Sequence, residues 1–330
     1  MRRLSKSINR LRCRFLHRSF FIISELFLES MKREKPLSII LYIFGPVIRY
    51  IVVSELAAAA MSLIWEHFLQ ETFLHGADMG YSHTALTLWS WLRLLLAALA
   101  GYLSVRGDAY TEQTAFMRAQ KRRRLLLTGD GRSGKPGEPE KRRLLSLFYA
   151  AGDDRIREQL LCILLPASVF LSLGINVLFS CLMPDSVPAQ TAGELPGAAG
   201  ILLQALFYCF FMPFAEETIF RGILFPRLQR WYGTGIAVLA SALFFGLYHG
   251  NFSQGIYAFI MGILFAAAYE TTGRFTVPFV LHGACNLIIL FLKWTDAYRA
   301  VCSLSWGAAF LGAAVGGFLT ILLIIKRTAG

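Results

Sequence analysis

The sequence predicts an all-α fold: a polytopic bundle of about eight transmembrane helices with both termini in the cytoplasm. Three observations predict it. The chain is 55% hydrophobic and only 16% charged, whereas soluble domains carry about 45–50% apolar and about 25% charged residues. Its apolar residues gather into eight runs, at roughly 38–65, 85–105, 159–183, 198–225, 235–250, 254–270, 275–292 and 304–325, most of them near the ~20 residues a spanning helix needs. The net charge of +12 is also placed unevenly. Residues 1–35 hold ten Lys/Arg and residues 106–158 hold thirteen, while 66–84, 184–197 and 251–253 hold none. Basic connections face the cytoplasm, so this alternation puts both ends on that side.

Each segment follows from its residues. In 1–35, Leu16, Phe20, Ile23 and Phe27 recur at helical spacing among basic residues, which predicts an interfacial helix on the cytoplasmic leaflet. Glu25, Glu29 and Lys32 interrupt it, and the run that follows is too long for a signal h-region. Residues 36–105 hold two spans. Residues 106–158 read as a basic cytoplasmic loop, and 159–330 as a six-span region. The basic excess is orientation signal and contact with anionic lipid, not nucleic-acid binding. The six cysteines have no Cys-x-x-Cys spacing and read as small buried hydrophobes.

Two motif-like stretches in the 106–158 loop carry no chemistry. Gly129 to Lys135 begins like a phosphate-binding loop, but Pro136 stands where the Mg²⁺-binding hydroxyl is required. Gly131-Arg-Ser133-Gly134 resembles a serine-protease nucleophile turn, yet it lies in a flexible basic linker away from any membrane substrate.

Within the last six spans, six polar residues stand in apolar surroundings: Glu216, Glu217, Arg221, His249, His282 and Asn286. An ionised side chain at mid-membrane costs about 2.5–3.5 kcal/mol on insertion scales, so such residues mark function and need partners. Glu217 and Arg221 are i and i+4 on a helix, the favoured order for an ion pair. Glu216 points about 100° away from that pair, following the 3.6-residue turn. Two adjacent carboxylates in a low-dielectric site resist double ionisation. Spacing therefore proposes Glu216 as general base and Glu217 as electrostatic partner of Arg221. Pro213 should kink the helix just before them. His249 follows Phe245 by one turn, and His282 and Asn286 are i and i+4 on one face. Together the three segments supply a base, an imidazole pair and donors for an oxyanion. For their side chains to converge, the helix 235–250 must be tilted or sunk, with Gly246, Gly250 and Gly255 allowing close packing.

The motifs Glu216-Glu217-Thr-Ile-Phe-Arg221-Gly222, Phe245-Gly-Leu-Tyr-His249, Tyr269-Glu270-Thr-Thr-Gly273 and His282-Gly-Ala-Cys-Asn286 resemble, in order and spacing, the core of the CPBP (ABI) family. These are CAAX-processing and bacteriocin-processing intramembrane endopeptidases, and the resemblance covers about 200–290. It implies a protease in which Glu216 and His249 activate water, Glu217 and Arg221 support them, and His282 and Asn286 hold the oxyanion. The family is usually labelled metalloprotease. His249, His282 and Glu216 would make a three-ligand Zn²⁺ set, and the sequence leaves open whether Zn²⁺ or no cofactor is used.

The reading is thus an intramembrane hydrolase of a prokaryotic plasma membrane. Its partner is a peptide or protein substrate at the membrane, such as a prenylated tail or a leader peptide. A catalytically idle immunity or scaffold protein would keep the same residues as a structural network. A transporter or proton relay would also bury Glu, Arg and His, although it would usually show internal repeats.

Overall fold

The computed structural model describes residues 36–69, 79–128, 154–182, 197–295 and 297–328. Residues 1–45 and 46–330 form two compact units; the candidate site belongs to the second. The interfacial helix expected in 1–35 and the motif-like stretch 129–136 lie outside the described residues.

Among the described residues the chain is helical throughout. Its α-helices are α1 Pro36–Ile64, α2 Met79–Thr128, α3 Asp154–Leu182, α4 Gly197–Leu206, α5 Met212–Ile219, α6 Phe225–Tyr248, α7 Phe252–Thr272, α8 Thr276–Trp294, α9 Ala297–Val301 and α10 Leu304–Thr328. Single π-helical turns, Phe207–Phe211 and Phe220–Leu224, join α4 to α5 and α5 to α6. Among the described residues, six helical stretches are long and apolar enough to cross a membrane, and Leu304–Thr320 is a shorter apolar one. One of the six, Gly200–Tyr248, runs 49 residues, more than a bilayer takes, and Gly233 breaks it with φ +80° and ψ 170°. That conformation is open to glycine and costly for other residues, so the two runs expected at 198–225 and 235–250 are separate rods.

The bundle shows membrane-protein polarity. Large apolar side chains such as Leu56, Leu63, Leu202 and Leu247 point outward, while Glu112, Glu217, Arg221 and Arg227 are buried. Met261, Phe265 and Ala268 on α7 meet Val277, Leu281 and Cys285 on α8 in one buried cluster, and Leu161, Leu164 and Leu171 of α3 pack against it. The i, i+4 recurrence of these residues is what gives each helix a single inward stripe. Gly246 and Gly255 bring α6 and α7 into backbone contact, since a Cβ at Gly246 would lie 2.7 Å from the Gly255 carbonyl oxygen. Gly250 does not serve that contact; it has φ +67° and forms the turn between the two helices.

The segment expected as a loop from residue 106 is a correction. Helix α2 continues to Thr128 because its polar residues are paired along the bundle. Asp108 accepts from Arg227 Nη2 at 2.7 Å and pairs with Arg49. Glu112 accepts from Arg227 Nε at 3.0 Å and from Arg230 Nη2 at 2.9 Å. One turn and more beyond, Gln120 and Arg123 donate to Glu270 of α7 at 3.0 and 3.2 Å. Arg227 and Arg230 are therefore fastenings between α2 and α6.

Candidate active site

Glu216 and Glu217 sit at the end of α5, between the two π turns. Pro213 follows the first π turn closely; the widened backbone accommodates its ring where a regular helix would clash with it. Such turns concentrate at functional sites. The i, i+4 pair survives the second one: Arg221 Nη1 donates to Glu217 Oε1 at 3.0 Å, with both side chains fully buried.

Arg221 is held on three further sides. Its Nη2 donates to the Gly262 carbonyl at 3.1 Å. Its guanidinium carbon lies 4.5 Å from the centre of the Phe245 ring and 5.5 Å from that of Phe265. Cation–π contacts of this kind are worth up to about 2 kcal/mol once desolvated. A buried charge without compensation would be prohibitive, and here it meets a carboxylate, a carbonyl and two aromatic faces.

His282 completes the cluster from α8. Its Nδ1 lies 2.9 Å from Glu217 Oε1 and its Nε2 lies 3.7 Å from Glu216 Oε2. A carboxylate facing Nδ1 makes that nitrogen the donor. Nε2 then faces Glu216, across a gap longer than a hydrogen bond and suited to a bridging water. Phe265 stacks on the imidazole at 5.1 Å, with planes 24° apart. Glu217 thus holds Arg221 and His282 through the same oxygen.

His249 also meets Phe245. The Phe245 ring contacts His249 at 4.9 Å and His282 at 5.7 Å, each with near-perpendicular planes. His249 Nδ1 donates to the Phe245 carbonyl at 2.8 Å. A carbonyl only accepts, so Nδ1 carries the proton of that contact. Asn286 Nδ2 donates to the Tyr208 carbonyl at 2.8 Å, docking α8 onto the first π turn.

The Zn²⁺ set considered from the sequence does not fit this arrangement. Among the described residues no three His, Cys, Asp or Glu side chains gather as a metal site.

Sequence reasoning brought Glu216, Glu217, Arg221 and His282 together. It missed Tyr50 and Tyr248, which line a cleft with Glu216, and Phe265. Tyrosines at the edges of apolar runs are common and carry no spacing signal. Phe265 reads as one more core aromatic until His282 is placed on it.

Residues 198–288 match the family described as type II CAAX prenyl endopeptidase Rce1-like. Among curated proteins, the chain is similar to the membrane-embedded CAAX protease MroQ of Staphylococcus aureus (strain USA300), with 34% identity over 86 residues, 24% of this chain and 35% of the relative. It is also similar to YdiL of Bacillus subtilis (strain 168), which carries a membrane-peptidase name, with 32% identity over 81 residues, 24% of this chain and 33% of the relative. The chain thus spans about a third of the length of either relative. No solved structure matches significantly. With its apolar helices and these bacterial relatives, the chain is an integral membrane protein of a prokaryotic plasma membrane.

Proposed function

We propose that this chain, whose residues 198–288 match the Rce1-like endopeptidase family and resemble two bacterial membrane proteins with peptidase names, belongs to the CPBP family of intramembrane endopeptidases and hydrolyses a peptide bond of a membrane-associated peptide or protein. The observation that carries this reading is the gap of 3.7 Å between Glu216 Oε2 and His282 Nε2, in a site where His282 is oriented by a fully buried carboxylate–guanidinium pair.

A water bridging that gap donates one proton to Glu216 while its oxygen attacks the carbonyl carbon. The carbon–nitrogen bond then breaks, and Glu216 returns the proton to the leaving amine nitrogen. His282 accepts the water's second hydrogen bond and fixes its direction. Glu217 keeps the imidazole in one orientation, and Arg221 holds Glu217 in place. This differs from the role the family resemblance implies for His249, since it makes His282 the partner of Glu216. No step in this scheme runs through a metal ion.

The substrate class follows the family's range: prenylated carboxyl-terminal tails or leader peptides, including those of bacteriocins. The test is cleavage of a membrane-anchored, quenched-fluorescent peptide library by the protein in liposomes. Loss of cleavage with Glu216→Gln and with His282→Ala, in variants that still melt cooperatively, supports the reading. Full cleavage by Glu216→Gln overturns it and favours a non-catalytic or transport role for the same cluster.

A further inference from the structure

The cysteines look alike in the sequence, but the structure separates them. Among the described residues Cys285 is buried, whereas Cys181 and Cys302 are half-buried. Cys181 stands in the last turn of α3, and Cys302 in the short link between α9 and α10. Neither has a part in the proposed hydrolysis.

The packing of α3 on α10 brings the two together. These helices run antiparallel in close contact, with a small residue at each crossing. A Cβ at Gly317 would lie 2.7 Å from that of Ala167, one at Gly174 would lie 2.7 Å from the Leu311 side chain, and one at Gly307 would lie 3.0 Å from that of Leu178. Each advance along α3 is thus a retreat along α10, and the next turn sets Cys181 against the residues just before α10. There the two thiols lie within hydrogen-bonding reach of each other. Ser180 also neighbours Cys302, but its hydroxyl donates to the Asn176 carbonyl at 3.0 Å and leaves the sulfurs adjacent. The chain around Cys302 is fixed as well: Ser303 N–H donates to the Val301 carbonyl at 2.9 Å, and Gly307 N–H to the Ser303 carbonyl at 2.9 Å.

The charge pattern puts this end of the helix pair outside the cytoplasm. Residues 184–197 carry no Lys or Arg and 295–303 carry only Arg299, whereas thirteen lie in 106–158 and the far end of α10 holds Lys326 and Arg327. Outside the cytoplasm disulfides form and persist. We propose that Cys181 and Cys302 form a disulfide that ties the outer end of α3 to the start of α10. The oxidant is another disulfide, of a thiol-exchange protein or a small thiol. One cysteine thiolate attacks it, expels a thiol and forms a mixed disulfide; the other thiolate attacks that bond and expels the second thiol. The two cysteine protons leave, and the two electrons end on the oxidant's sulfurs. The bond closes a loop that contains Glu216, His249 and His282, so it constrains the unfolded chain around the whole candidate site. It also secures α3, which holds α7 through the Ser172–Tyr257 hydrogen bond at 2.9 Å.

The experiment uses the full chain in its membrane. Free thiols in intact cells are blocked with a membrane-permeant maleimide, and the purified protein is digested without reductant and read by mass spectrometry. We expect a peptide linked through Cys181 and Cys302, present at harvest or formed when unblocked membranes are exposed to oxidised glutathione. Both cysteines alkylated at harvest and still unlinked after oxidised glutathione overturn the proposal, as does a bond from either one to a different cysteine. After reduction of intact cells, a membrane-impermeant maleimide should label both positions; labelling only after lysis puts them in the cytoplasm and overturns it too. In detergent the oxidised protein should melt about 5 °C or more above the reduced one, the scale for a disulfide closing a long loop in a chain of this size. Cys181→Ser and Cys302→Ser should melt with the reduced protein and ignore reductant, and equal melting of oxidised and reduced wild type overturns the tie between α3 and α10. If a Ser variant does not fold, the linked peptide and the labelling decide on wild type alone. None of these readouts needs a cleaved substrate, so the outcome is independent of the proposed hydrolysis.

Discussion

His282 is fixed through Glu217, not through its neighbour Glu216: its Nδ1 meets Glu217 Oε1 at 2.9 Å, while the Nε2–Glu216 separation is 3.7 Å. Two acids adjacent in sequence are thereby given different work by the 100° step between successive helical residues. One faces the arginine and orients the imidazole. The other faces the gap.

That division predicts opposite consequences for the same conservative change. Glu217→Gln leaves the Arg221 guanidinium buried without its counter-ion, a loss of about 3–5 kcal/mol for a broken buried pair. Glu216→Gln keeps shape and removes only the proton acceptor. Yield and melting of detergent-solubilised protein should fall sharply for Glu217→Gln and stay near wild type for Glu216→Gln, with cleavage lost in both. The reverse ranking in melting would exchange the two roles.

Phe245 should be the aromatic side chain whose loss damages the site most. Its ring touches both imidazoles and the Arg221 guanidinium and is 1% exposed. Truncating a buried phenylalanine to alanine costs about 3–5 kcal/mol. Phe245→Leu keeps most of the volume and should cost less than about 1.5 kcal/mol, while still removing the aromatic ring that both imidazoles contact. Melting should therefore drop far more for Ala than for Leu, whereas cleavage should drop for both. Unaltered cleavage by Phe245→Leu would show that the ring is filling only.

Much of this was legible in the sequence because period and spacing encode it. The 217–221 pair needs only an α-helical step, and the spans need only hydropathy. Other parts depend on distant segments meeting. Glu112 and Asp108 look like solvated loop charges until Arg227 and Arg230, more than a hundred residues away, are placed beside them, which is why 106–128 read as loop. Asn286 shares a face with His282, and its amide nitrogen also donates to the carbonyl of Tyr208, presented at a π turn. No periodic pattern announces a π turn, so that contact was not legible.

Glu270 should prove structural. It accepts from Gln120, Gln229, Arg123 and Thr234, binding α2, α6 and α7 together around the Gly233 break. Glu270→Ala removes the shared acceptor, and each buried donor left without a partner costs about 1–3 kcal/mol. Melting should fall by an amount comparable to Glu217→Gln. Cleavage per folded molecule should remain within about threefold of wild type, less than the tenfold that 1.4 kcal/mol would give. Hydrogen exchange should quicken near residues 229–236. A hundredfold loss of cleavage in folded protein would move Glu270 into the reaction.

Gly283 sets how closely α8 approaches the first π turn, and so where His282 stands. A Cβ at this position would lie 2.4 Å from the Cys209 carbonyl oxygen. That neighbour is backbone, so it has no rotamer by which to yield, and α8 itself must shift. Overpacking of this kind costs about 1–3 kcal/mol. The displacement also acts on both residues flanking the contact: His282 is drawn from Glu217, and Asn286 from the Tyr208 carbonyl. Gly283→Ala should thus lower melting moderately but cleavage severely, because misplacing a catalytic group by about 1 Å can cost 10²-fold. Gly312, with nothing within 4 Å of its Cβ position, is the control: Gly312→Ala should leave cleavage unchanged. Equal cleavage by the two alanine variants would show that α8 tolerates the shift and that the position of His282 is set elsewhere.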